Sequence, residues 1–121
     1  MKFQPDAPHS MSITAYGPGW VEVNRVRHTS SILVSANGEC VEWDCKRFDD
    51  LSARHFEYIA YKNPELVLFG SGEKLRFPHP QWLEALYSRR IGLETMDTKA
   101  ACRTYNFLAA EGRVVLAALL L

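Results

Sequence analysis

The apolar positions of this chain change period repeatedly, and those changes divide it into elements. From Ser12 the pattern predicts short strands: Ile13 to Tyr16, a turn at Gly17-Pro18-Gly19, then Trp20 to Asn24, where Val21 and Val23 alternate with Glu22 and Asn24. Such strands keep one face wet and one buried. Ser30 to Ala36 and Glu39 to Cys45 flank Asn37-Gly38, a dipeptide suited to the two positive-φ positions of a type I′ hairpin turn. After Phe48 the spacing lengthens to that of a helix capped by Asp50 or Ser52 and ending near Tyr61. Its inward stripe is Leu51, His55 and Ile59, or Phe56 and Tyr58. Asn63-Pro64 ends it, because the residue before proline is pushed out of the helical region.

Leu66-Val67-Leu68-Phe69 is apolar at every position, as is most of Val114 to Leu120, and both read as strands buried on two faces. Between them a helix opened by Pro80 presents Trp82, Leu83, Leu86 and Tyr87 at core spacing and stops at Gly92. Gly92 to Met96 alternates Leu93 and Thr95 with Glu94 and Met96. A carboxylate inside a doubly covered strand would need a partner, so this segment is expected at a sheet edge. Thr98 is expected to cap a helix burying Ala101, Tyr105, Leu108 and Ala109. That leaves Lys99, Arg103 and Asn106 on a more exposed stripe, and Glu111-Gly112-Arg113 closes the helix.

The class that follows is mixed α/β: antiparallel N-terminal strands and a hairpin, then a strand-helix-strand-helix-strand parallel unit. Right-handed crossovers order those three strands second, first, third. A loose arm over residues 1–11, with Pro5 and Pro8, precedes a single α/β domain over residues 12–121.

Composition narrows the function. Of 121 residues, 47% are hydrophobic and 23% charged, the balance of an ordinary globular protein. Fourteen Lys and Arg offset fourteen Asp and Glu, so no overall positive field holds phosphate backbones, and nucleic acid drops out as the main partner. Cys40, Cys45 and Cys102 form an odd set without CxxC spacing, and no signal peptide is legible, which points to a reduced, cytoplasmic compartment. Cys40 and Cys45 fall on opposite faces of one strand and cannot share a zinc ion or a disulfide. The apolar run Val114 to Leu121 is less than half of the roughly 20 residues a spanning helix needs.

In parallel sheets ligands sit beyond the carboxyl ends of the strands, where Gly70-Ser71-Gly72 and Asp97-Thr98 are expected. The dinucleotide pattern GxGxxG fails here, since Leu75 stands at its third glycine, and Glu73 and Asp97 oppose an anion at the same rim. The glycines therefore read first as a tight turn with close backbone approach. Ser71 lacks the GxSxG elbow, and His79 is the nearest histidine in sequence. Tyr105 reads as a core residue with a satisfied hydroxyl, and His55 as a core histidine. Glu94, if buried, would have to pair with a base such as Arg103 or Arg76. No catalytic residue, cofactor or metal ligand set is legible.

Gly70-Ser71-Gly72, Pro78, Gly92, Glu94, Met96, Thr98, Ala101, Thr104-Tyr105-Asn106, Leu108, Glu111 and Arg113 together carry a resemblance. From about Ser30 to the end, the chain resembles the bacterial and archaeal domain family of unknown function related to mitochondrial respiratory complex I assembly factor 3. The resemblance implies a compact mixed α/β domain and, in mitochondria, a role in assembling a respiratory enzyme through protein contacts. Ser71 stands where the family more usually has threonine, which keeps the hydroxyl, and no organelle presequence is legible.

The expectation is thus a small soluble protein acting as an assembly or accessory factor. Its contact surface would combine Gly70, Ser71 and Gly72 with Asp97, Thr98, Arg103 and Asn106. The alternative is a small-molecule binder or small enzyme using Ser71, Glu94 and Tyr105 in a pocket at the same loop. A weak homodimer through the edge strand is a third expectation.

Overall fold

The computed structural model describes residues 11–121. The arm expected over residues 1–11 therefore lies, but for Met11, outside the described residues. Among the described residues eight strands form two sheets. β1 (Ile13–Gly17), β2 (Trp20–Val23) and β3 (Val26–His28) make an antiparallel sheet in that order. β4 (Ile32–Ser35), β5 (Glu39–Glu42), β6 (Leu66–Gly70), β7 (Gly92–Met96) and β8 (Val115–Leu119) make a five-stranded mixed sheet in the order β5-β4-β8-β6-β7.

β8, β6 and β7 are parallel, in the order the crossovers dictated, and the hairpin β4-β5 joins them because β4 runs antiparallel to β8 from Ile32↔Leu119 to Ser35↔Leu116. The class is mixed α/β as read from the sequence.

Alternation along the central strands builds two cores. Val67, Phe69, Leu116 and Ala118 face α1 (Ala53–Tyr61) and α2 (Glu84–Ser88), while Leu68, Val115, Ala117 and Leu119 face α3 (Thr98–Ala110) and the three-stranded sheet. Burial on both faces explains the unbroken apolar runs, each large side chain contributing roughly 1.5–3 kcal/mol. Trp43 and Cys45 lie in the first core and Cys40 against the second, so the two cysteines do take opposite faces. His55 is buried between a donor and an acceptor: its Nδ1 accepts from Ser52 N at 3.1 Å, and its Nε2 donates to the Asp44 carbonyl at 2.7 Å.

Several local expectations are corrected. The β4-β5 connection is a three-residue loop, Ala36-Asn37-Gly38, in which Gly38 alone has positive φ (108°) and donates to Ser35 O at 3.0 Å. This is a turn followed by a glycine bulge, and not type I′. Two consecutive positive-φ residues occur instead at Asn24 (48°) and Arg25 (70°), between β2 and β3, a strand the apolar pattern did not reveal because Val26 and Arg27 are exposed.

Helix ends differ as well. The α2 helix stops before Gly92: Arg90, at φ 59°, donates to Tyr87 O while Ile91 donates to Leu86 O, a Schellman closure made without glycine. Tyr87, expected in the core, is exposed. Asp97, and not Thr98, caps α3, its carboxylate accepting from Ala100 N at 2.9 Å.

Candidate functional site

β6 and β7 lie side by side, yet their carboxyl ends feed opposite faces of the sheet. β6 leads through residues 71–79 toward α2, and β7 runs directly into α3. In doubly wound sheets this divergence opens a ligand crevice. Here hydrogen bonds close it. Ser71 N donates to Met96 O and Thr98 N donates to Gly72 O, both at 2.9 Å. The Thr98 hydroxyl accepts from Gly72 N at 2.9 Å and donates to Leu120 O at 2.8 Å, tying the β7-α3 junction to the loop and to the end of β8. Gly70 permits this approach, since a Cβ there would stand 3.0 Å from both Thr98 Oγ1 and Leu119 Cδ2.

Ser71 is buried, and its hydroxyl donates to Lys74 O at 2.6 Å and accepts from Arg76 N at 3.0 Å. The same side chain therefore shapes the 71–76 loop. Gly72, at φ 105°, supplies the left-handed step that loop requires.

Two clefts flank the closed crevice. One, of about 360 Å³, lies between the Gly17-Pro18-Gly19 turn and Gly72, Asp97 and Lys99. The other, of about 300 Å³, lies on the far side of the loop and is lined by Lys46, Arg47, Phe48, Lys74 and Arg76. Glu73 borders both. The first carries two carboxylates, Glu73 and Asp97, against Lys99; the second carries four bases against Glu73.

The remaining candidates divide between scaffold and surface. Tyr105 is fully buried, donates to Met11 O at 2.8 Å, and has its hydroxyl pKa raised by burial, with a smaller push from Cys40. Asn106 was expected on the exposed stripe but grips β1: Oδ1 accepts from Ile13 N at 2.9 Å and Nδ2 donates to Ile13 O at 2.7 Å. Arg103 is exposed and reaches the Tyr16 hydroxyl at 3.4 Å. Glu94 is exposed on the edge strand β7, so the buried pairing with Arg103 or Arg76 does not arise.

The sequence reading missed Phe107, 64% exposed and one helical step beyond Arg103. Its signal was legible: a large aromatic lying off the Ala101-Tyr105-Leu108 stripe. Lys46 and Arg47 were missed because only the fold brings residues 46–48 beside 74–76. Among the described residues no three His, Cys, Asp or Glu side chains gather to hold a metal ion, and no helix is long and apolar enough to cross a membrane.

Residues 13–120 match the family described as "Protein of unknown function (DUF498/DUF598)". The chain is 40% identical over 121 residues to the NADH dehydrogenase [ubiquinone] 1 alpha subcomplex assembly factor 3 of Mus musculus; the match covers 97% of this chain and 64% of that protein. The chain thus spans under two thirds of that relative's length. The crystal structure of a Bordetella parapertussis protein superposes with TM-score 0.88 at 39% identity, covering 94% of this chain and 98% of that one. A Bordetella pertussis solution structure described as a Mth938-like domain superposes with TM-score 0.84 at 33% identity, over 99% and 92% of the two chains.

Proposed function

The chain belongs to the DUF498/DUF598 family of proteins of unknown function, and from that premise we propose that it works as an assembly or accessory factor by binding a protein partner. The relatives named as assembly factors in Mus musculus and Homo sapiens support this reading. The observation that carries it is the outer stripe of α3. Lys99, Arg103 and Phe107 follow one another at intervals of four residues, all exposed, so two cations and an aromatic ring share one helix face. Aromatic and arginine side chains are the commonest energetic anchors of protein interfaces.

The polar groups of Ser71, Thr98, Tyr105 and Asn106 are already engaged within the protein. What they leave for a partner is the shape they support: the α3 stripe, the Asp97 turn, and β7 bearing Glu94, the last strand of its sheet among the described residues.

Affinity purification with cross-linking mass spectrometry tests the surface. A partner cross-linked to Lys99 in the parent protein should be lost from Arg103→Glu and Phe107→Ala, with circular dichroism unchanged in both. Equal recovery from the folded variants would remove α3 as the contact face.

A further inference from the structure

We propose that the basic cleft of about 300 Å³ between residues 46–48 and 71–76 is a binding site for a phosphate-bearing ligand, either a small soluble molecule or a lipid headgroup. Lys46, Arg47, Lys74 and Arg76 line it with a single acidic side chain, Glu73, in the lining. The cations on its second wall are delivered together, because the Ser71 hydroxyl bonds Lys74 O and Arg76 N and so closes the short loop that carries both side chains.

Arg76 also spans the cleft. Its guanidinium lies 4.1 Å from the centre of the Phe48 ring, and its Nη2 donates to Asp49 Oδ1 at 3.1 Å, which fixes the fork while leaving further N–H groups for an anion. Asp50 stands 3.9 Å from Arg47 in an exposed pair, a weak competitor for a doubly charged ligand. No ion pair among the described residues includes Lys46 or Lys74.

The neighbouring cleft cannot serve the same ligand as well, since it sets Glu73 and Asp97 against Lys99 alone. The apolar side of the basic cleft suits the organic part of such a ligand: Phe48, Leu120 and Leu121 line it.

Amide chemical shifts of the full chain titrated with inorganic phosphate and with glycerol 3-phosphate test the site. Flotation with phosphatidylglycerol vesicles, against phosphatidylcholine, forms a second arm. Saturable shifts confined to residues 46–48 and 71–76 support a soluble ligand; flotation on phosphatidylglycerol alone supports a headgroup. In either case Lys46→Gln with Lys74→Gln should weaken binding about tenfold or more, as the loss of charge-assisted contacts predicts, and raised salt should weaken it too. Lys99→Gln should leave it unchanged. Absence of both responses, or equal weakening by Lys99→Gln, overturns the proposal.

Discussion

Asn106 holds the main chain of Ile13 by both atoms of its amide, accepting from Ile13 N at 2.9 Å and donating to Ile13 O at 2.7 Å. The side chain thus does for β1 what a neighbouring strand would do, and it fastens the three-stranded sheet to α3. Replacing it with alanine strips partners from two part-buried backbone groups and should destabilise the protein by about 1–3 kcal/mol. Asn106→Asp keeps the acceptor for Ile13 N but sets a carboxylate oxygen against Ile13 O in place of the donor, and should cost at least as much as alanine. Denaturant midpoints of the two variants check the order.

Thr98 makes a comparable contact at the other end of α3. Thr98→Val keeps the shape but removes the hydroxyl shared by Gly72 N and Leu120 O, and should cost about 1–3 kcal/mol. Thr98→Ser should recover most of it. Hydrogen exchange at the Gly72 amide reports the bond directly: exchange should accelerate in the valine variant and stay slow in the serine variant.

Glu65 gives a pH dependence with a definite sign. Its carboxylate accepts from Arg113 Nε at 3.0 Å and Val114 N at 3.1 Å, and these bonds hold its pKa below the usual glutamate value, Arg113 contributing most. A carboxyl with a lowered folded pKa stabilises fully above its unfolded value, about 4.3, and loses that contribution as pH falls through the folded value. Glu65→Gln should therefore narrow the difference in melting temperature between pH 7 and pH 3. An unchanged acid limb would show that the bonds contribute nothing.

The three thiols should react in the order of their exposure. Burial pushes Cys102 up to about 12 and Cys45 to about 11, and it also raises Cys40, which is half-exposed. Because thiolate is the reactive form, iodoacetamide at pH 8 should label Cys40 first and Cys102 only on unfolding. Peptide mass mapping over time distinguishes the three.

The legible part of this protein was its layering. Val67, Phe69, Leu116 and Ala118 alternate with Leu68, Val115, Ala117 and Leu119 between two cores, and uninterrupted apolar runs announce that arrangement because burial on two faces leaves no polar position. The exposed edge position of Glu94 followed from the same rule, since an unpaired carboxylate is costly anywhere else in the sheet. Turn chemistry was less legible. The positive φ expected of Asn37 appears at Asn24, Arg25 and Arg90, where closure of the neighbouring hydrogen bonds outweighs the local preference for glycine.

For the candidate site, the chain by itself determined which residues would gather at the carboxyl end of the parallel strands. Gly70, Ser71, Gly72, Asp97 and Thr98 do meet there. Only the tertiary structure decided which of their polar atoms are spent. Thr98 and Leu120 are 22 residues apart, Asn106 and Ile13 are 93, and Lys46 and Lys74 share a cleft without any local relation. Helical and strand periods report which face a side chain occupies, whereas a hydrogen bond depends on what the fold brings to that face.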